Sequence, residues 1–276
     1  MRAEPVADTP CLTLGEGPVW DAAAQSIHWI GIPDREVLTL HRPSGRLTVL
    51  ELDVTPGTLM PAAEGSPVLA TERGFESLDT ATGRTELLAA VEADRPDRRM
   101  NDGKRDPYGR PVAGTMQRTG PQQPGPLYRL ESDGSVRPIL DGLAIPNGLA
   151  WPEPDRLWHI DTPTRRIEFY EYPEHGPVGR RIRSLDVSHL PGMPDGMTLD
   201  EAGNLWVAFW DGGAVHCLSP EGRLLDTVEV PAPRTTSCAF GGPGLDTLFI
   251  TTARSGEHPL SGRLFELAVP GVRGRA

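Results

Sequence analysis

Six polar residues, Glu16, Thr58, Asn101, Asn147, Asp195 and Ser237, stand at steps of 42, 43, 46, 48 and 42 along a chain of 276 residues. All six carry side-chain oxygen: two carboxylates, two carboxamides and two hydroxyls. Brought together, such a set would be costly to bury alone and would suit a hard divalent cation, which prefers carboxylate and amide oxygens. Taken singly, Asn, Asp and Ser next to Gly are ordinary turn residues. Glu16 is a poor turn former, however, and the common spacing favours a shared site. Just ahead of Asn101, the triplet Asp97-Arg98-Arg99 reads either as a solvated charge run or as the source of a site-facing cation.

Each of the six leads a short apolar run, a turn and a second apolar run. Pro146-Asn147-Gly148-Leu149-Ala150-Trp151 before Leu157-Trp158-His159-Ile160 is the clearest copy, and Gly15-Glu16-Gly17-Pro18-Val19-Trp20 before Ile27-His28-Trp29-Ile30 is another. In the second copy the turn is expected at Glu64-Gly65-Ser66. Between copies lie further hairpins around Ser44-Gly45, Thr82-Gly83, Asp133-Gly134 and Glu221-Gly222, where a polar-Gly pair supplies the positive φ of a tight turn. A repeat of roughly 40–45 residues with four short strands is the pattern of a propeller blade. The expected fold is therefore all-β: a six-bladed β-propeller, four antiparallel strands per blade, one domain over 1–276, with the metal site in its central channel. The rival arrangement is a β-sandwich of two halves. Residues 262–269 are expected to pair with N-terminal strands and complete the last blade. Trp20, Trp29, Trp151, Trp158 and Trp206 fall inside strand runs and are expected in the core between blades.

The remaining composition narrows the function. A net charge of −11 disfavours a nucleic-acid groove or an anionic membrane surface, leaving small molecules and cations as partners. Cys11, Cys217 and Cys238 lack metal or disulfide spacing and read as small hydrophobes in a reducing compartment. No signal-like N-terminus and no long apolar span occurs, so a soluble cytoplasmic protein is expected. His28, His159 and His216 lie in apolar runs and read as satisfied strand residues. There is no GxSxG elbow, GxGxxG or P-loop, so neither a serine nucleophile nor a nucleotide cofactor is implied, and Ser255-Gly256-Glu257-His258 reads as a loop.

The chain also resembles the regucalcin, gluconolactonase and senescence-marker-protein family of six-bladed propellers. The resemblance is carried by Leu14-Gly15-Glu16-Gly17-Pro18-Val19-Trp20, Arg99-Met100-Asn101-Asp102-Gly103-Lys104, Pro146-Asn147-Gly148-Leu149-Ala150-Trp151, Pro194-Asp195-Gly196-Met197 and Thr236-Ser237-Cys238-Ala239-Phe240-Gly241-Gly242. It implies that Glu16, Asn147 and Asp195 ligate one divalent metal ion, calcium or zinc first, with manganese, magnesium or iron also compatible. It implies that Arg99 and Asn101 contact substrate. Three departures stand out. No acidic residue follows Gly114-Thr115-Met116 in 117–124, Gly31 stands where an Asp is common, and Pro111-Val112 follows Gly109-Arg110 where an aromatic is frequent.

The activity so implied is that of a carboxylic ester hydrolase of carbohydrate metabolism, opening a sugar (aldono)lactone to its acid. The metal would polarise the lactone carbonyl and Asp195 would activate water, while Arg99 and Asn101 hold hydroxyls or the developing oxyanion. A phosphotriester hydrolase on the same metal, a non-enzymatic calcium-binding protein and a peptide-docking channel mouth are the alternatives. A monomer is the default.

Overall fold

Strands dominate because apolar residues alternate or run in short blocks bounded by Gly, Pro and Asp, with no helical period between them. The computed structural model describes residues 1–62 and 65–275, so the expected turn at Glu64-Gly65-Ser66 lies partly outside them. These residues form six four-stranded antiparallel sheets, the blades of a six-bladed β-propeller, and one short 3-10 turn at Thr162–Thr164. Among the described residues no helix is long and apolar enough to cross a membrane.

The chain divides into two compact units, residues 50–185 and residues 1–49 with 186–276, and three blades belong mainly to each. In the 50–185 unit the second blade runs Pro56–Met60, Val68–Thr71, Gly74–Leu78 and Thr85–Ala90. The third runs Arg98–Arg105, Pro111–Gln117, Gly125–Leu130 and Val136–Leu143. The fourth runs Pro146–Glu153, Arg156–Asp161, Arg166–Glu171 and Arg181–Asp186. In the other unit the first blade comprises Gly15–Asp21, Ser26–Gly31, Glu36–His41 and Arg46–Glu51. The fifth comprises Met193–Leu199, Leu205–Trp210, Ala214–Leu218 and Leu224–Glu229. The sixth is completed from the N-terminus: Arg234–Gly241, Thr247–Ala253 and Phe265–Ala268 are followed by Glu4–Pro5 at the outer edge, with Pro5 opposite Phe265.

Within each unit the first strands of successive blades meet, while the fourth strands are largely exposed. The turn glycines Gly45, Gly83, Gly134 and Gly222 all have positive φ, as a polar-Gly hairpin requires. The fourth blade's second hairpin departs from a two-residue turn, although His175-Gly176 in it also has positive φ at the glycine. Its strands are joined by the longer 172–180 connection, which is tied down by Gly179 N–H to Glu171 O at 2.8 Å.

The core lies between blades. Trp206 packs with Phe240 and Ile250 of the neighbouring blade, and Trp29 shares a cluster with Phe249. Trp29, Trp158 and Trp206 are fully buried, whereas Trp20 and Trp151 are half-buried against the same kind of cluster. Each large aromatic buries about 150–250 Å², a gross stabilisation of about 4–6 kcal/mol at ~25 cal/mol per Å². Cys217 and Cys238 lie in that core, and burial pushes the Cys217 thiol up to about 12. His28 and His216 each bond a strand threonine, Thr39 at 2.8 Å and Thr227 at 3.0 Å.

Candidate functional site

The first strand of every blade breaks register at the same level. Pro146 pairs with Asp161 and Leu149 with His159, so three steps on one strand meet two on its partner. The same offset separates Met100 from Gly103, Pro194 from Met197, Pro56 from Leu59 and Thr235 from Cys238. In the first blade it falls between Glu16 and Val19. Bulges of this kind bend a strand and re-aim the side chain at the bulge. The residue that enters each bulge is Glu16, Gly57, Asn101, Asn147, Asp195 and Thr236.

Four of these are the residues expected from sequence; two are not. Thr58 and Ser237 sit one residue further on, in register with Gly148 and Gly196, so they do not share the position of Asn147 and Asp195. Side-chain contacts agree. Asn101 Nδ2 donates to Pro146 O at 2.9 Å, and Thr236 Oγ1 to Gly15 O at 2.6 Å: in each case the carbonyl just before the next blade's leading residue. A Cβ on Gly57 would lie 2.3 Å from the corresponding oxygen of Met100, so no side chain fits there. The missed signal was the aromatic four residues on, Trp20, Trp151 and Phe240, which aligns Thr236 rather than Ser237 with Glu16 and Asn147.

In the 50–185 unit the structure brings Arg99, Asn101 and Asn147 into one hydrogen-bonded chain. Arg99 Nη1 donates to Asn101 Oδ1 at 2.8 Å and to Met100 O at 2.9 Å. Asn101 Nδ2 also donates to Asn147 Oδ1 at 3.1 Å, and Asn147 Nδ2 to Thr162 Oγ1 at 2.8 Å. The Thr162 bond fixes the Asn147 amide, so its oxygen is the atom turned to Asn101 and available to a cation. Thr162 had no sequence signal beyond its place after Asp161. Asn101 and Asn147 are buried and Arg99 is half-buried. Neighbouring Asp102 keeps some surface, yet crowding by protein atoms raises its pKa against the opposing Lys104 charge and the Gly103 N–H bond.

The charge triplet turns out to have three fates. Asp97 is exposed and pairs with Arg95 at 3.2 Å. Arg98 is buried, with Nε 2.8 Å from Glu92 and bonds to Thr115, Gln123 and Pro124. Only Arg99 joins the amide chain. A uniform solvated run is thus ruled out.

In the other unit Glu16 and Asp195 are both buried, 8% and 5% exposed, on first strands that each contact the first strand of the sixth blade. Glu16 Oε2 accepts Gly17 N–H at 3.0 Å. A Cβ on Gly196 would lie 2.1 Å from Ser237 Oγ, so the residue after Asp195 must be Gly for the strands to close. Among the described residues no three His, Cys, Asp or Glu side chains form a metal-holding group.

The Gly31 departure has a structural resolution. Gly31 holds the register of Asp161, whose Oδ1 accepts Ala144 N–H at 3.1 Å and Ile145 N–H at 2.8 Å, bracing the approach to Asn147. In the first blade Asp34 does this work, accepting Thr13 N–H and Thr13 Oγ1, each at 2.9 Å. A Cβ on Gly31 would press on Asp34 and Leu12 at 3.1 Å.

Residues 14–254 match the family described as the SMP-30/gluconolactonase/LRE-like region. The chain is 36% identical over 256 residues to the pentonolactonase XacC of Haloferax volcanii, covering 92% of this chain and 86% of that one. It is 34% identical over 275 residues to regucalcin of Sus scrofa, covering 94% and 92%. Among solved structures, a calcium-binding regucalcin from Agrobacterium tumefaciens superposes with a TM-score of 0.92 at 32% identity, covering 99% of this chain and 96% of that one.

Proposed function

The chain belongs to the SMP-30/gluconolactonase/LRE-like family, and from that premise we propose that it is a metal-assisted lactonase acting on a sugar lactone. The Haloferax volcanii relative is named a pentonolactonase, which supports this substrate class. The observation that carries the reading is the Arg99–Asn101–Asn147–Thr162 chain. It combines a cation and amide donors for a polyhydroxylated ester with an amide oxygen held ready for a metal.

Glu16, Asn147 and Asp195 would hold the ion. Their chemistry fits: two buried carboxylates carry negative charge that burial alone makes costly, and the Asn147 amide is oriented by Thr162 to present oxygen. When bound, a divalent ion supplies Lewis-acid polarisation of the lactone carbonyl. Asp195 takes a proton from the attacking water as its oxygen adds to the carbonyl carbon. The ring C–O bond then breaks, and the same proton passes to the departing alkoxide. Arg99 and Asn101 orient the ring hydroxyls and hold the oxyanion as charge develops, which favours the transition state over the ground state. Calcium and zinc are the first ions to test.

The test is hydrolysis of an aldonolactone panel and a phosphotriester, before and after chelation and with single metals restored. Lactone opening that chelator abolishes and metal restores supports the reading. Loss of turnover in Asp195→Ala with the metal still bound supports the base. Phosphotriester turnover alone would replace the substrate class. A second reading, calcium binding without turnover, is favoured by the relative described as a calcium-binding protein; calcium binding with neither substrate consumed would select it.

A further inference from the structure

The sixth blade guides the chain into Glu16. Arg254 N–H donates to Thr13 O at 3.1 Å, Leu14 forms an antiparallel bridge with Ala253, and Thr236 Oγ1 donates to Gly15 O at 2.6 Å. The approach is close enough that a Cβ on Gly15 would stand 2.9 Å from Thr252 O. Thr236 is fully buried, and its hydroxyl oxygen also lies 2.9 Å from Thr251 Oγ1. A hydroxyl has one proton, and the shorter contact, to Gly15 O, takes it, so Thr251 donates to Thr236. The two hydroxyls form a relay that ends on the carbonyl of the peptide joining Gly15 to Glu16.

That peptide is planar and rigid, so fixing its oxygen fixes the plane and with it the direction in which the Glu16 side chain leaves the strand. The ladder does not do this alone, because its register breaks directly after Glu16. Packing gives no reason for threonine either: valine has the same shape and no hydroxyl to satisfy in the interior. The third blade repeats the device, with Asn101 Nδ2 donating to Pro146 O ahead of Asn147. Neither Asn101 nor Thr236 is among the residues assigned to the ion, yet each orients the peptide before one that is.

We propose that Thr236, backed by Thr251, is a positioning residue for divalent-ion binding, aiming the Glu16 carboxylate across the seam where the sixth blade meets the first. The inference rests on the reading of Glu16 as a metal ligand.

The experiment is calorimetric titration with calcium and with zinc, each alone, of wild type, Thr236→Val, Thr236→Ser, Glu16→Gln and Glu16→Gln/Thr236→Val, with thermal melting of each. Thr236→Val is expected to weaken the bound ion by about tenfold at unchanged stoichiometry, the lower end of the effect of losing an outer-shell partner. Thr236→Ser keeps the hydroxyl and recovers most of that loss. The double variant binds no more weakly than Glu16→Gln, because Thr236 acts through the Glu16 carboxylate. Should Thr236→Val not fold, Thr251→Val removes only the far hydroxyl and is expected to weaken binding about threefold, the worth of one neutral hydrogen bond. Unchanged affinity in every valine variant that folds, or a Thr236→Val loss that persists in full beside Glu16→Gln, overturns the positioning role whatever the melting temperatures show. A wild type that binds neither ion overturns it together with the metal reading. Thr236-dependent ion binding by a protein that opens no lactone would sink the lactonase reading and leave the positioning role standing.

Discussion

The two units share one blade architecture but carry different side chains at equivalent positions. At the bulge positions the 50–185 unit offers Gly57, Asn101 and Asn147, with Arg99 donating into the amides; the other unit offers Glu16, Asp195 and Thr236. One supplies donors and neutral oxygens, the other supplies negative charge. Their frameworks differ as well. The 50–185 unit is braced by the enclosed pairs Arg98–Glu92, Arg110–Asp106 and Arg129–Glu131. The other relies on an apolar cluster around Trp206 and Phe240, and its ion pairs Arg42–Glu266 and Arg234–Asp211 are partly exposed. Backbone repetition thus constrains where a side chain stands but not what it carries.

The sharpest break of this contrast is in the acidic unit. Asp195→Asn keeps the shape and removes the proposed base, so kcat on a lactone should fall by ~10²–10⁴-fold, read by steady-state assay with unchanged circular dichroism. Next comes the ionic bracing. Arg98→Met leaves Glu92 charged and enclosed, and urea denaturation should show a loss of about 3–5 kcal/mol, largely recovered in Arg98→Met/Glu92→Leu. Within the amide chain, Thr162→Val frees the Asn147 amide to turn and should weaken divalent-ion affinity by ~10–100-fold, measured by calorimetry.

Smaller, per pH unit, is an effect of acid. His159 is fully enclosed, and burial lowers its pKa to about 3 from 6.5. Between those values the unfolded chain binds a proton that the folded chain refuses. Its contribution is therefore fully present above about pH 6.5 and falls by ~1.4 kcal/mol per pH unit on acidification toward 3. His159→Leu should flatten the acid limb of stability against pH by about that slope. Smallest is the other unit's surface pairing: Arg42→Ala should change stability by no more than about 1 kcal/mol.

Blade number, strand positions and the core tryptophans were legible because turn glycines and apolar runs report local physics. The residues Glu16, Asn101, Asn147 and Asp195 were legible through spacing, since each enters a bulge at the same register. Thr58 and Ser237 misled because a bulge places two small polar residues side by side, and only ladder pairing shows which one leads. Arg98 resembled its exposed neighbour Asp97, because burial of a long charged side chain depends on partners such as Glu92 and Thr115 that are distant in sequence. The exchange of Asp161's bracing role for Asp34 was hidden for the same reason: two loop residues separate Asp34 from the Gly31 position, and it bonds Thr13, 21 residues away in sequence.

The outer strand of the sixth blade carries a consequence for how the chain is made. Glu4–Pro5 is synthesised some 260 residues before its ladder partners Phe265 and Glu266. Until then the earliest segment has no hydrogen-bonding partner in its own sheet, and the last sheet has an open edge at Phe265–Ala268. Such late, long-range pairing makes completion of this sheet a slow closing event, and an unpaired edge is a template for a second chain. Removing Glu4–Pro5 would therefore act on residues more than 250 positions away, uncovering at Phe265–Ala268 an edge open to pairing with another strand.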